Sequence, residues 1–526
     1  MADRVYLYDT TLRDGAQTQG VDFSVVDKQE IAQQLDALGL DYIEGGWPGA
    51  NPTDDRFFAA MPKLKHAKMV AFGMTRKPSN SAENDPGLNA LVNSGVKFIC
   101  IVGKAWDFHV TEALGISREE NLSMIRDSIK YIVSKKIEVL LDAEHFFDGF
   151  KANRKYAMEV IKTAFDAGAR WIVLCDTNGG TLPFEVEEIV KAAVKSVSGD
   201  HLGIHCHNDT ENAVANSIAA VRAGARQVQG TIGGYGERCG NTNLIAIIPT
   251  LHIKLGYDVG ISEKSLRNLT RISHALDDRL NRPRYRHAAY VGASAFAHKG
   301  GLHVSAVVKK PEAYEHIPPE MVGNERVILI SDQAGRANII SRLKSIGLEV
   351  KADDPAIAAL VDEVKERERM GYAYDSADAS FELLARGFLG KIPHLYEVLS
   401  FRVIDERRWN AKGELVTFSE AKVKVRLDEH ELMEVAEGNG PVNALNKALK
   451  KAITTKYPQL NDIKLVDFKV RIITPERATE AVTRVQIETE DRKTRARWTT
   501  IGVSPNIIDA SYNALNDAFV FKLLKG

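Results

Sequence analysis

Two histidines separated by one residue, His205 and His207 in GIHCHND, stand out in the 526-residue sequence as groups that could do chemistry. On an extended strand, residues i and i+2 point to one face. The two imidazoles would therefore converge, and neutral imidazole is a good ligand for zinc and similar ions. The same pair could simply close a strand end with polar side chains. Near the N-terminus, YDTTLRDG offers Asp14 as a carboxylate to complete a metal's coordination and Arg13 as a rigid fork of donors for an oxyanion. Asp9 would orient these groups, although the segment also reads as a polar loop with local Asx turns. Other polar groups follow other β-branched runs: Glu44, Arg76, Glu144 in LDAEHF, and Asp176 and Thr177 in LCDTNGG. The glycines of GTIGGYGERCGNTNL allow close backbone approach to a ligand. Helix-opening amides at Asn241–Thr242 could meet a phosphate or carboxylate.

These groups can act together only if their elements share one end of the fold. Short β-branched runs predict strands at Val5–Tyr8, Tyr42–Glu44, Met69–Phe72, Phe98–Val102, Glu138–Leu141, Trp171–Cys175, Leu202–His205 and Gln227–Gly230. Between them, helical periodicity covers Val25–Leu38, Asn121–Val133, Tyr156–Ala167, Phe184–Val194, Asn212–Ala223 and Leu244–Leu255, with Gly39, Gly168 and Gly224 at helix ends. Alternation of this kind implies parallel strands with right-handed crossovers. The expected fold over residues 1–260 is a (β/α)8 barrel, of the α/β class. A doubly wound sheet is the alternative, but it would gather ligands at one switch point rather than after many strands.

From Ser262 the pattern changes to helices and loops, with helices expected at Ser265–Leu280 and Asp354–Met370, and residues 261–390 read as a helical linker. Residues 391–526 read as an α+β domain with strands at Glu397–Asp405, Ala421–Leu427, Leu465–Ile473 and Val482–Glu488. NALN occurs there twice, at Asn443–Asn446 and Asn513–Asn516, each after a proline-containing loop, and this suggests a duplicated module.

Composition narrows the classes. Hydrophobic residues are 44% and charged residues 26%, with 69 Lys and Arg against 70 Asp and Glu, so nothing points to a nucleic-acid or anionic-membrane partner. No secretory leader or 18-residue apolar run is visible, and four scattered cysteines fit a reducing cytosol, so a cytoplasmic protein is expected. Cys206 and Cys239 are expected to be packing residues.

DTTLRDGAQ, HCHND, GYGERCGN and FAHKGGLH together resemble the isopropylmalate synthase family, which includes isopropylmalate, homocitrate and citramalate synthases and is related to hydroxymethylglutaryl-CoA lyase. GAQ at Gly15–Gln17 and IEGGWPGANPTD from Ile43 resemble the citramalate synthase branch. The resemblance implies condensation of acetyl-CoA with pyruvate and water to give citramalate and CoA, on the way to isoleucine. It implies a divalent metal (Zn, Mn or Mg) held by Asp14, His205 and His207, with Asn241 at or near it. It assigns Arg13 to the ketoacid oxygen and the developing enolate, Glu144 to the pocket carboxylate, and Thr177 to the ketoacid carboxylate. Gln17 and Glu44 join the substrate-binding set, Glu44 as an ion-pair partner that orients Arg13. His303 corresponds to the histidine that deprotonates acetyl-CoA and Tyr314 to a nearby catalytic tyrosine. In the family these two reach the partner subunit's barrel, so a homodimer is implied. GLHVSA lacks the acidic residue usual after that histidine.

The C-terminal region resembles the family's regulatory domain, with isoleucine as the expected effector and carboxylate-binding amides at Gly438–Pro441 and Ser504–Asn506. His298 reads as a helix cap. The residues alone leave open a 2-isopropylmalate or homocitrate synthase, a related carbon–carbon lyase, and an amino-acid sensor without activity.

Overall fold

The computed structural model describes residues 3–330, 335–351 and 353–525. The chain forms two compact units, Met1–Phe296 with Ile317–Glu325, and Ala297–His316 with Arg326–Gly526. In the first, the strands are β1 (Tyr6–Asp9), β2 (Tyr42–Gly46), β3 (Lys68–Met74), β4 (Phe98–Lys104), β5 (Glu138–Glu144), β6 (Trp171–Asp176), β7 (Leu202–Cys206) and β8 (Gln227–Gly230). They pair in sequence order, all parallel, and β8 returns to β1 with Val228 opposite Leu7. This closes the barrel and excludes the doubly wound sheet.

Alternation along the strands builds two cores. Tyr8, Tyr42, Cys100, Leu140 and Trp171 fill the barrel interior, where Trp171 Nε1 donates to Tyr42 Oη at 3.1 Å. Leu7, Ile43, Ile99, Leu141, Ile172 and Ile204 face the surrounding helices. The helix Val25–Leu38 starts at a reciprocal Ser24–Asp27 capping box and stops at Gly39, whose φ of 104° is the left-handed conformation that favours glycine. The helix expected from Tyr156 is the second part of a longer one, Phe146–Ala167, interrupted at Asn153. Asn153 Oδ1 accepts from Tyr156 N at 3.2 Å and restarts the helix as a cap would. Residues 261–296 belong to the barrel's unit, and the single helix expected there is two, Glu263–Leu266 and Leu269–Arg279.

The second unit contains the helices Gly301–Lys309, Arg336–Ser345, Pro355–Arg369 and Asp378–Phe388. Asp354 lies one residue before the third and caps it through Ala356 N. Beyond them, the described residues form two antiparallel three-stranded sheets. One is Glu397–Trp409, Leu415–Leu427 and His430–Gly438 with the helix Pro441–Ile453; the other is Ile463–Ile472, Thr483–Asp491 and Arg497–Ser504 with Ile507–Lys525. The repeat is real in topology, down to a bulge near the start of each first strand, at Val398/Ser400 and Leu465/Asp467. The NALN echo is not its marker: Asn443 is the third residue of its helix and Asn513 the seventh, one turn out of register. His298 is not a helix cap. It lies in a two-residue strand, Ala297–His298, with its Nε2 3.1 Å from the Glu315 carboxylate that Arg326 also binds. None of the described helices is long and apolar enough to cross a membrane.

In the second unit, Asp517 Oδ2 accepts from Ser380 Oγ at 2.6 Å, and burial, opposed by Ser380 and Arg367, pushes its carboxyl up to about 6. The folded state holds this proton more tightly than the unfolded chain. Its contribution to stability is therefore complete below about pH 4 and lost as pH rises through about 6. Asp517→Asn should raise the melting temperature by roughly 2–4 °C at pH 8 and little at pH 4.5. Equal shifts at both pH values in thermal unfolding would contradict the assignment.

Candidate active site

The residues singled out after β1, β2, β5, β6, β7 and β8 lie at the C-terminal end of the barrel, where parallel strands deliver their last side chains and loops. Most border one cavity of about 580 Å³: Arg13, Asp14, Gln17, Glu144, Thr177, His205 and His207. Glu44 does not line it. It is fully buried beneath Arg13, taking Arg13 Nε on one oxygen at 2.5 Å and Tyr8 Oη on the other at 2.6 Å.

The loop after β1 is a tight turn in which Thr10 O accepts from Arg13 N and Gly15 N. It sets Arg13 and Asp14 side by side, with Arg13 Nη1 on Asp14 Oδ1. The Phe72 ring lies 3.8 Å below the guanidinium, a cation–π contact that the aromatic at the end of an apolar run gave no hint of. Asp9 does not touch this pair. It accepts from Thr11 N and Thr11 Oγ1, and Thr11 Oγ1 accepts from Ile232 N, which ties the first loop to the last.

On β7 and its extension, His205 Nε2 is 3.4 Å from His207 Nε2, 3.5 Å from Asp14 Oδ2 and 3.1 Å from Asn241 Nδ2. Asn241 Nδ2 also donates to Asp14 Oδ2 at 3.0 Å. The glycine-rich loop packs this closely because it has no side chain at Gly236: a Cβ there would lie 1.8 Å from Asn241 Oδ1. Arg238 on the same loop grips Asp209 with Nε and Nη2, at 2.7 and 2.9 Å, and donates to Thr177 O. Cys239 at its tip is exposed, contrary to the packing role expected of it, whereas Cys206 is buried in the core.

The cluster is electrostatically unbalanced. Among the described residues it holds three buried carboxylates, Asp14, Glu44 and Asp142, against the single guanidinium of Arg13. Burial alone would make Arg13 easier to deprotonate, but Asp14 and Glu44 outweigh it and hold the guanidinium charged. Burial pushes Glu44 above the ordinary carboxylate range despite Arg13, and Asp142 above it despite His205 and Arg13. Asp14 is also raised by burial, yet Arg13 and the two histidines bring it below its usual value. Burial, then the neighbouring His205, lowers His207 to about 3, so its imidazole is neutral.

Among the described residues no three His, Cys, Asp or Glu side chains are already spread as around a bound ion; the donor atoms lie against one another. The donor chemistry nevertheless fits a divalent cation. A neutral imidazole and its neighbour, a carboxylate oxygen and an asparagine amide converge, and His207 Nδ1 and Asn241 Oδ1 are buried without a hydrogen-bond partner.

Other expected rim residues have structural partners: Arg76 binds Glu120 and Asp127, and Asp176 binds Thr181. His303 and Tyr314 belong to the second unit, where their rings stack with centroids 4.2 Å apart. Sequence reading missed Lys104, which pairs with Glu144, and Asp142 and Gln229, which lie behind His205. All three sit on strands, and the one available clue was a polar side chain on a strand buried on both faces.

Three family models match the chain: HMGL-like over residues 4–273, homocitrate synthase post-HMGL domain-like over 290–370, and LeuA allosteric (dimerisation) domain over 375–523. The (R)-citramalate synthase of Aquifex aeolicus is 48% identical over 527 aligned residues, covering 100% of this chain and 99% of the relative. That of Geobacter sulfurreducens is 49% identical over 99% of this chain and 98% of its own length, and that of Synechocystis 47% identical over 99% and 96%. With the barrel, the linker and the C-terminal domain all matched end to end, the chain belongs to the (R)-citramalate synthase family.

Proposed function

We propose that this chain condenses acetyl-CoA with pyruvate and water, releasing (R)-citramalate and CoA, at the open end of its barrel. The observation that carries the reading is Arg13, clamped between Asp14 and Glu44 over Phe72, beside the converging Asp14, His205 and His207. Asp14, His205 and His207, with Asn241 alongside, would hold a divalent ion (Zn, Mn or Mg). When bound, such an ion supplies Lewis-acid polarisation of the keto group and orientation of the ketoacid.

The chain's own residues supply the rest. Glu44 and Asp14 take up Nε and Nη1 of Arg13, so among the described residues its remaining N–H groups are left for the oxygen on which negative charge develops. Thr177 Oγ1 accepts from His145 N at 2.9 Å, which leaves its own proton to donate to the ketoacid carboxylate. Phe72, Met74 and Val102 give the cavity an apolar wall for the ketoacid methyl. Glu144, paired with Lys104, is the carboxylate at hand to accept a proton from water during thioester hydrolysis. His303, stacked on Tyr314, would remove the proton from the thioester methyl. Both side chains are exposed, which suits a pair acting on a neighbouring subunit of a homodimer.

The test is thiol release from acetyl-CoA with a panel of 2-oxoacids. Pyruvate should exceed 2-oxoisovalerate and 2-oxoglutarate by about 100-fold in kcat/KM, roughly 3 kcal/mol of discrimination. A preference for either larger ketoacid would overturn the substrate assignment, and cleavage without condensation would make the chain a lyase. His205→Ala and Asp14→Ala should each lower kcat about 10³-fold or more, as loss of several kcal/mol requires. Near-normal turnover by metal-stripped enzyme would remove the ion from the mechanism. At the C-terminal modules, isoleucine as effector would place its carboxylate at the amides of Gly438–Pro441 or Ser504–Asn506. Calorimetry should then detect binding and steady-state rates should fall; no heat and no inhibition would leave the modules a dimerisation device.

A further inference from the structure

We propose that Gln229, anchored by Asp142, is a positioning residue that fixes the tautomer of His205 and so presents Nε2 of that histidine as a lone-pair donor. The inference rests on the reading of His205 as a metal ligand and concerns two residues to which the reaction itself gives no role.

His205 and Gln229 are register partners on the adjacent strands β7 and β8, so their side chains rise on the same side of the sheet, into the barrel. Gln229 is fully buried. Its amide lies between two groups: Oε1 is 2.8 Å from His205 Nδ1, and Nε2 donates to Asp142 Oδ1 at 3.1 Å. An amide has one donating end and one accepting end, and what it faces decides which way it points. The Asp142 carboxylate oxygen Oδ1 accepts from the Gln229 amide nitrogen at 3.1 Å. The NH2 of Gln229 must therefore face Asp142, and its carbonyl must face the imidazole. A carbonyl accepts only, so Nδ1 of His205 carries the proton and Nε2 carries the lone pair.

A second chain of contacts reaches the same answer from the opposite side. Asn241 Nδ2 donates to the Asp14 carboxylate at 3.0 Å, which orients that amide, and the same nitrogen lies 3.1 Å from His205 Nε2. An N–H pointing at Nε2 requires a lone pair there. Two carboxylates, each acting through an amide, thus impose one tautomer on His205. With the Gln229 carbonyl gone, nothing else among the described residues would hold the proton at Nδ1, and the alternative tautomer could place it on Nε2, facing Asp14 Oδ2 at 3.5 Å. That form cannot bind an ion through Nε2. Loss of such an outer partner typically weakens metal binding about 10–100-fold.

The test uses the full-length protein with its histidines labelled with ¹⁵N, stripped of metal and then titrated with Zn²⁺ or Mn²⁺ by calorimetry. In the wild type, the His205 resonances, identified by their loss in His205→Asn, should report a protonated Nδ1 and an unprotonated Nε2. Gln229→Met, close in shape but unable to accept from His205, should weaken ion binding about 10–100-fold and give a mixture of tautomers. Gln229→Glu combined with Asp142→Asn reverses the amide–carboxylate order yet keeps an acceptor at Nδ1 and a donor between the two side chains. That pair of substitutions should recover the affinity and the single tautomer. Nε2 protonation in the wild type, wild-type affinity and tautomer in Gln229→Met, or a folded double variant that recovers neither property would overturn the proposal. If His205→Asn binds the ion as tightly as wild type, the metal reading fails on its own, while the tautomer spectrum still judges Gln229.

Discussion

A half-buried guanidinium answering to several carboxylates is the constraint on which this site depends. Arg13 cannot lose its charge, and Asp14 and Glu44 hold it from two directions while Phe72 supports its face. Even so, Glu44 and Asp142 are carboxyl groups that burial pushes above the ordinary carboxylate range. Buried carboxylates in that position must take up protons or find a cation. The architecture favours a cation, because the neighbours are imidazoles and an asparagine rather than additional arginines. On the proposed function, a ketoacid would enter a place already arranged for the charge that its reaction creates.

The barrel makes that arrangement possible by topology alone. Residues far apart in the chain, Arg13 and Asp14 after β1, Glu44 on β2, His205 on β7 and Asn241 after β8, become neighbours because the first and last strands pair. The Thr11–Ile232 contact fastens the first loop to the last, and Gly236 lets the last loop close over Asn241. The Thr11–Ile232 and Asp14–Asn241 contacts span the point of closure, so an open sheet would have dispersed the site.

Much of this was legible in the sequence. All eight strand positions and the exact span of Val25–Leu38 followed from periodicity and capping residues, since apolar alternation and end signals are local properties. What was missed lay where local pattern and function diverge. Apolar alternation ends the fourth strand at Val102, whereas β4 continues through Lys104, because charged residues at strand ends look like loop. Gln229 reads from the sequence as strand and not as site, since a polar side chain facing inward is informative only once its partners are known. In the C-terminal domain the third strand of each sheet, His430–Gly438 and Arg497–Ser504, escaped notice because charges alternate through or flank it. NALN, by contrast, suggested a correspondence that the helices do not keep.

The central claim is that a divalent ion sits among Asp14, His205 and His207 and receives pyruvate next to Arg13. Anomalous diffraction from crystals grown with Mn²⁺ and pyruvate addresses it most directly. The account expects one strong peak within about 2.0–2.4 Å of the two imidazoles and the Asp14 carboxylate, with pyruvate bridging it to the Arg13 guanidinium. Ordered pyruvate in the cavity with no anomalous density beside those three residues would contradict it.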